Sequence, residues 1–529
     1  MEKIKIAVIG ASFSGLCVTS NIIDLLRKEK KFASLTLFEP EDKPGGRAFD
    51  ISLPDNFRLN HEANYMGIVS PFVDIKSNVK YDDFFRWIQK NKNKELPGSP
   101  GKTLAERYKS FDLDDESAYL PRSLYGYYLL ARKKELITRA QSQYHSLSVT
   151  KALVNNIYTE GKKFCVCWEK EKALYDFVIL CTGLWYSIYD SSAFIYKSDT
   201  LSIKKTASIA IVGSSLSAVE IALALAEKGY KDISMYSRNG RLPKVRGKIL
   251  PYQPHFVSSN SLEKLHNKYG HIKLSALLPL IKTEFDWAYE QRGKGLYQTK
   301  GINWNEILFN QNPLKQFEED ILTSEKGDEI VWRSVLSSLY NFENQLWRNL
   351  HRRTREKILS QYGSFLISFI APIPLPQAKK LHHFIINGSI KIVKNAKALI
   401  ENDKTTSILL QDKTKVIKDC IIDARGPSKD ILKSPFLSRL VQSGMLQKNP
   451  AGGIVVNKQL QVVSEKKVYH NMYALGPMVY GQRPHNSSTF TTEYAENIAA
   501  YIVNSIKNDH VTEYEDTQLE YDNFSSLAV

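Results

Sequence analysis

IKIAVIGASFSGLCVTSNIIDLLRKEKKFASLTLFE, residues 4–39, decides the fold. Its first six residues are a nearly continuous apolar run, the pattern of a central parallel strand covered on both faces. A glycine turn follows at Gly10–Gly15, then apolar spacing at helical period to about Arg27. Residues 34–38 read as a second strand, which ends at Glu39. Strand, turn, helix and strand make one βαβ unit. The turn, Gly10-Ala11-Ser12-Phe13-Ser14-Gly15, is a GxGxxG turn with Ser12 in the middle position. In such a turn the first glycine allows the tight bend, the middle position lets the backbone approach a pyrophosphate, and the last lets the helix sit close to the sheet. Ser12 is small, and its hydroxyl can itself reach a phosphate. Glu39 lies 29 residues after Gly10. A carboxylate at that strand end accepts hydrogen bonds from ribose hydroxyls.

The pattern recurs. Residues 207–213 (ASIAIVG) open a second βαβ unit, with a helix to about Lys228 and a strand at 232–238. Its turn is Gly213-Ser214-Ser215-Leu216-Ser217-Ala218, again with serine in the middle. Here the second strand ends in Ser237-Arg238 rather than an acid. Arginine pairs with a 2′-phosphate, which an acid would repel. Opposite charges at the two strand ends point to two cofactors: FAD at Glu39 and NADPH at Arg238. Arg241 and Lys244 would extend the positive charge. The plainer reading of Arg238 is a solvated surface arginine.

Two further strand ends stop at a glycine: Val178 to Thr182-Gly183, and Ile421 to Gly426. Such compact ends suit a chain that leaves one domain and re-enters it. The expected fold is α/β, with two Rossmann-like dinucleotide-binding domains and a mostly helical insertion. The expected domains are residues 1–194 (FAD, first part), 195–425 (NADPH, with the insertion at about 252–385), 426–510 (FAD, second part) and a mobile tail, 511–529. Residues 80–145 read as helices broken by a loop at 95–103. Strands are expected at 149–168, 173–181 and 389–423, and a helix near 491–507.

Composition fits this reading. The chain has 529 residues, about three domains at ~100–200 residues each. Hydrophobic residues at 43% and charged residues at 24% exclude a disordered or collagen-like chain. The net charge of +16 is spread along the chain. That speaks against nucleic acid as a partner and suits anionic cofactors. Five cysteines, none in a CxxC pair, read as buried thiols in a reducing compartment. The histidines lack metal-ligand spacing, so no metal is expected. No run approaches the ~18 uncharged apolar residues of a membrane span, and the N-terminal run is too broken for a signal peptide. A cytoplasmic protein is expected.

Together these features resemble the two-dinucleotide-binding-domain flavoproteins, which include flavin-containing and N-hydroxylating monooxygenases. Further landmarks are Pro44-Gly45-Gly46-Arg47-Ala48-Phe49, Arg58-Leu59-Asn60, Phe84-Phe85-Arg86-Trp87, Leu120-Pro121-Arg122, Ser237 to Pro243, and Tyr473 to Gly476-Pro477. With them the chain resembles the FAD-NAD(P)-binding family that contains a flavin-dependent urate hydroxylase and an aspartate-oxidising nitrosuccinate synthase. The resemblance implies that Gly10, Ser12 and Gly15 cradle the FAD pyrophosphate and Glu39 its ribose. Gly46, Arg47 and Asn60 would follow the FAD toward its ring, with Thr182 and Gly183 beside the nucleotide. Arg122 would touch the flavin or its phosphates, and Gly476 would pass beneath the flavin. Gly213, Ser215 and Arg238 would hold NADPH. Asn60 and Arg122 are the candidate catalytic groups. The late motif carries no acid for the ribityl chain.

The activity so implied is an FAD- and NADPH-dependent monooxygenase. Reduced flavin would capture O2 as a C4a-peroxide and oxygenate a small molecule, for instance at an amine nitrogen. Two alternatives stand beside it: an NADPH-dependent flavoprotein oxidoreductase without oxygenation, and a non-enzymatic nucleotide sensor or RNA-associated flavoprotein. Trp287, Trp304, Trp332 and Trp347 of the insertion read as helical core, with a substrate-pocket wall as the alternative.

Overall fold

In the computed structural model the described residues are 3–41, 45–68, 83–96, 99–142, 146–183, 203–292, 312–339, 342–402, 405–426, 430–450, 452–465, 467–481 and 488–507. The tail at 511–529, Trp304 and the domain boundary at 194–195 lie outside them.

Ile4–Ile9 forms a strand with Ile6, Ala7 and Val8 wholly buried, as an apolar run covered on both faces requires. It sits inside a six-stranded sheet whose order is 461–463, 468–474, 177–180, 4–9, 33–38, 146–150. Neighbours run parallel except Gln461–Val463, which is antiparallel to Val468–Ala474. The chain beyond residue 426 thus returns to the sheet begun at residue 4. The helix Ser488–Lys507 packs along the helix Phe13–Lys28 on that sheet.

A second parallel sheet has the order 390–393, 232–236, 208–212, 420–423. Its core of Ile209, Ile211, Leu223 and Leu381 also takes in Leu53 and Phe57 from the first unit. Among the described residues of 259–386 the regular elements are helical, from Ser259–Tyr269 to Leu375–Ile386, with a π-helical turn at Ile358–Tyr362. They have an apolar core of their own around Val257, Leu262, Val335 and Trp347.

The segment 95–103 is a β-hairpin, Glu95–Leu96 against Ser99–Thr103, not the expected loop. The short flanks carry no alternating pattern to announce a strand pair. The strand expected over 173–181 is two strands in different sheets. Glu171–Tyr175 closes an antiparallel three-stranded sheet, and Phe177–Leu180 joins the large one. The switch occurs at Asp176, whose backbone N–H donates to the Lys5 carbonyl at 2.8 Å and whose carboxylate accepts from the Lys5 N–H at 2.8 Å. Among the described residues no helix is long and apolar enough to cross a membrane.

Candidate functional site

The first glycine turn leaves the C-terminal end of Ile4–Ile9. Gly10 has φ +108°, and a Cβ there would lie 2.5 Å from the Cys181 carbonyl oxygen. A Cβ at Gly15 would lie 2.0 Å from the Gly10 oxygen. Both glycines are therefore demanded by strand and helix packing. Ser12 is the N-cap of Phe13–Lys28 but makes no side-chain capping bond, and the first turn carries no acid. The helix thus presents N–H groups and the positive end of its dipole without an internal anion, the ordinary arrangement for binding a phosphate. Glu39 accepts the Ala11 N–H at 3.0 Å, and burial raises its pKa. A Cβ at Gly46 would lie 2.9 Å from Ser12 Oγ, so this loop closes directly over the turn.

The second turn repeats this geometry. Gly213 has φ +135°, and its Cβ would lie 2.9 Å from the Ala424 oxygen. Ser215 caps Leu216–Glu227 without a side-chain bond, and that first turn also lacks an acid. Arg238 stands two residues beyond the strand Asp232–Tyr236, with an exposed side chain. Its expected companions are engaged elsewhere. Lys244 is buried and paired with Asp320 at 3.2 Å. Arg241 lies 5.0 Å over the Phe365 ring, and burial lowers its pKa. Buried pairing takes Lys244 off the wall of the cavity onto which both turns open, a correction to the expected extended charge, while Arg241 shares that wall with Arg238.

Both turns open into one cavity of about 3070 Å³. That exceeds the ~300–1,000 Å³ of an ordinary ligand pocket. Gly10, Ser12, Glu39, Gly46, Asn60, Thr182 and Gly183 line it from the first unit, and Gly213, Ser215 and Arg238 from the second. Gly15 is sealed between helix and strand. Gly476, with φ +82°, lies behind the turn, where a Cβ would meet Ser14 Oγ at 2.5 Å. Arg47 opens the short turn Arg47–Phe49, and its side chain lies outside what is described. Thr182 donates its hydroxyl toward Met478 Sδ at 3.1 Å. Ser488, Phe490, Thr491 and Glu493, at the start of the last helix, share the cavity wall.

Arg122 also lines the cavity, but it joins the two units. Its Nη2 lies 3.0 Å from Glu220 Oε1, and its Nε donates to the Arg58 carbonyl at 3.0 Å. Burial pushes the Glu220 carboxyl up to about 7 against the pull of Arg122. Asn56 adds a bond from Nδ2 to the Glu220 carbonyl at 2.9 Å. Of the insertion tryptophans, Trp332 and Trp347 line the cavity, while Trp287 stacks on His255 at its own surface.

Sequence reasoning missed one group on this wall: Glu62, Tyr119, Arg246 and Arg333. They come from four distant segments, so no spacing could announce them. Asn60, two residues before Glu62, was the nearest signal.

Residues 7–184 match a family described as FAD-NAD(P)-binding. No curated protein matches the chain in sequence. Three solved structures resemble it along nearly the whole length. The ornithine N-hydroxylase of Kutzneria sp. 744, with reduced FAD, NADP+ and L-ornithine, has TM-score 0.52 and 12% identity over 96% of this chain and 99% of that one. The reduced ornithine hydroxylase of Pseudomonas aeruginosa has TM-score 0.52 and 10% identity over 95% and 100%. The cadaverine monooxygenase of Erwinia amylovora, bound to FAD, has TM-score 0.53 and 11% identity over 99% and 99%. At such identity these likenesses show the fold alone, an α/β chain with two parallel sheets.

Proposed function

We propose that the chain is an FAD- and NADPH-dependent monooxygenase that hydroxylates a small molecule at an amine nitrogen, a reading supported by the match of residues 7–184 to a family described as FAD-NAD(P)-binding. The observation that carries the reading is the pair of helix N-termini with no side-chain capping bond and no acid in the first turn, with Glu39 at one strand end and Arg238 at the other, facing one cavity. A pyrophosphate fits each helix end. The amine nitrogen is favoured because the three similar structures are of ornithine and cadaverine enzymes.

When bound, the two cofactors supply hydride transfer and activation of O2. The chain binds, orients and shields. Gly10, Ser12 and the first turn of Phe13–Lys28 hold the FAD pyrophosphate, with Glu39 on its ribose. Gly46, Arg47, Asn60, Thr182, Gly183 and Gly476 flank the rest of it. Gly213 and Ser215 hold the NADPH pyrophosphate and Arg238 its 2′-phosphate. Arg122, tied to Glu220, keeps the two nucleotide units in register beside the reacting groups. The last helix directs its positive end toward negative charge that develops in the cavity. The domain division at 194, 425 and 510 belongs to the same proposal.

The test is anaerobic reduction of the FAD-loaded protein by NADPH, then re-oxidation in air with candidate amino acids or purines. Oxygenation lowers peroxide release when the right amine is present. Stoichiometric peroxide with every candidate would leave an NADPH-dependent oxidoreductase without oxygenation.

A further inference from the structure

Glu62, Tyr119, Arg246 and Arg333 meet on the cavity wall from the first unit, the second unit and the helical region. Arg246 is 5% exposed. Its Nη1 lies 3.3 Å from Glu62 Oε1 and donates to the Tyr119 hydroxyl at 3.0 Å. Its guanidinium also sits 4.9 Å over the Tyr119 ring. Arg333 approaches the same Glu62 oxygen at 3.9 Å and donates to the Gly247 carbonyl at 2.7 Å. The Tyr119 hydroxyl donates to Glu62. Among the described residues Glu62 is the one carboxylate paired with either arginine. Two guanidiniums thus face a single carboxylate, and Nε of Arg246 has no hydrogen-bond partner.

A surplus buried cation is costly unless something compensates it. Burial, and then the like charge of Arg246, lower the Arg333 pKa. Burial opposes the charge on Glu62, yet Arg246, Tyr119 and Arg333 hold its carboxyl below the usual range. The neighbouring wall is largely apolar, with Ser337 and Glu343 as its polar members. Leu336 and Ser337, three and four residues after Arg333 on the helix Val331–Leu339, share its face and line the cavity. Leu346 and Trp347 continue that wall.

We infer that Arg246 and Arg333 hold the carboxylate of the substrate, whose apolar body lies along Leu336, Leu346 and Trp347. The inference rests on the reading that this cavity takes a substrate beside the FAD. The other source of an anion is the phosphate of NADPH, assigned above to Arg238 and the two helix ends.

Calorimetric titration of the FAD-loaded protein separates these. The probes are phenylacetate and hexanoate, each against its neutral amide, and 2′,5′-ADP for the cofactor. Each acid should bind at least about tenfold more tightly than its amide. Arg333→Gln should weaken the acids about ten- to a hundredfold, as loss of a charge-assisted bond implies, and leave the amides and 2′,5′-ADP unchanged. Arg333→Lys should restore part of the loss. FAD content reports whether each variant is folded, and the comparison of acid with amide in the unaltered protein needs no variant. Equal or absent binding of acid and amide overturns the inference. So does a loss in Arg333→Gln as large for 2′,5′-ADP as for the acids. Binding requires no turnover, so a protein that takes the acids yet never oxygenates counts against the proposed activity and not against this site.

Discussion

Arg238 and Gly10 show what one side chain, or its absence, decides. Arg238 is exposed at the strand end, and Lys244, bound to Asp320, gives it little help. Discrimination between NADPH and NADH therefore rests mainly on the Arg238 guanidinium, with Arg241 stacked on Phe365 further along the same wall. Charge-assisted bonds of roughly 1.5–3 kcal/mol correspond to about one to two decades. Arg238→Ala should raise the Michaelis constant for NADPH by that factor, leave that for NADH nearly unchanged and move the maximal rate little. Stopped-flow flavin reduction with both cofactors reads this, and equal efficiency of the two in the unaltered protein would dispose of the assignment. At Gly10 the demand comes from backbone rather than ligand: φ is +108° and the Cys181 carbonyl leaves no room for a Cβ. Gly10→Ala should lower the melting temperature even without FAD, with a cost of about 1–3 kcal/mol. An unchanged melting curve would contradict this. Both positions were legible in the sequence because each belongs to a strand–turn–helix–strand unit whose parts follow one another in the chain, Gly10 in the first and Arg238 in the second. Arg246 and Arg333 were not, because only the folded chain brings them to Glu62.

Among the elements, the helix Leu216–Glu227 carries a second kind of information. It buries Glu220 against Arg122 and the segment 56–58 of the other unit. The folded pKa of about 7 stands above the ordinary 4.5, so the folded protein holds the proton more tightly than the unfolded chain. That contribution to stability is complete below about pH 4.5 and is lost as pH rises through about 7. The loss across that window amounts to about 3 kcal/mol. Glu220→Gln should flatten the fall in melting temperature between pH 5 and 8, as measured by thermal unfolding in a buffer series. Parallel pH profiles for variant and parent would refute it. The element pattern was readable where apolar runs are long, as in Ile4–Ile9 and Ser208–Val212. It failed at 95–103 and 171–180, where strands are short or change sheet at a single residue, Asp176. Periodicity registers the exposure of a strand but not the sheet it joins.

At the scale of the molecule, the chain closes on itself. Residues 461–474 complete the sheet begun at Ile4, and Ser488–Lys507 covers the helix that follows the first turn. A chain ending at residue 425 should therefore fail to retain FAD, even though every residue of the first turn is present. Flavin absorbance after gel filtration checks this, and full retention would contradict it. Two repeated glycine turns made the doubled architecture visible from the sequence. The shared cavity was not visible, since the helical region that completes its wall has no motif of its own. The most direct measurement of the whole account is anaerobic mixing of the FAD-loaded protein with NADPH or NADH, followed at the flavin absorbance. The account predicts full bleaching, with NADPH favoured by about one to two decades. A flavin that neither nucleotide reduces, or a protein that takes up no FAD, would contradict it.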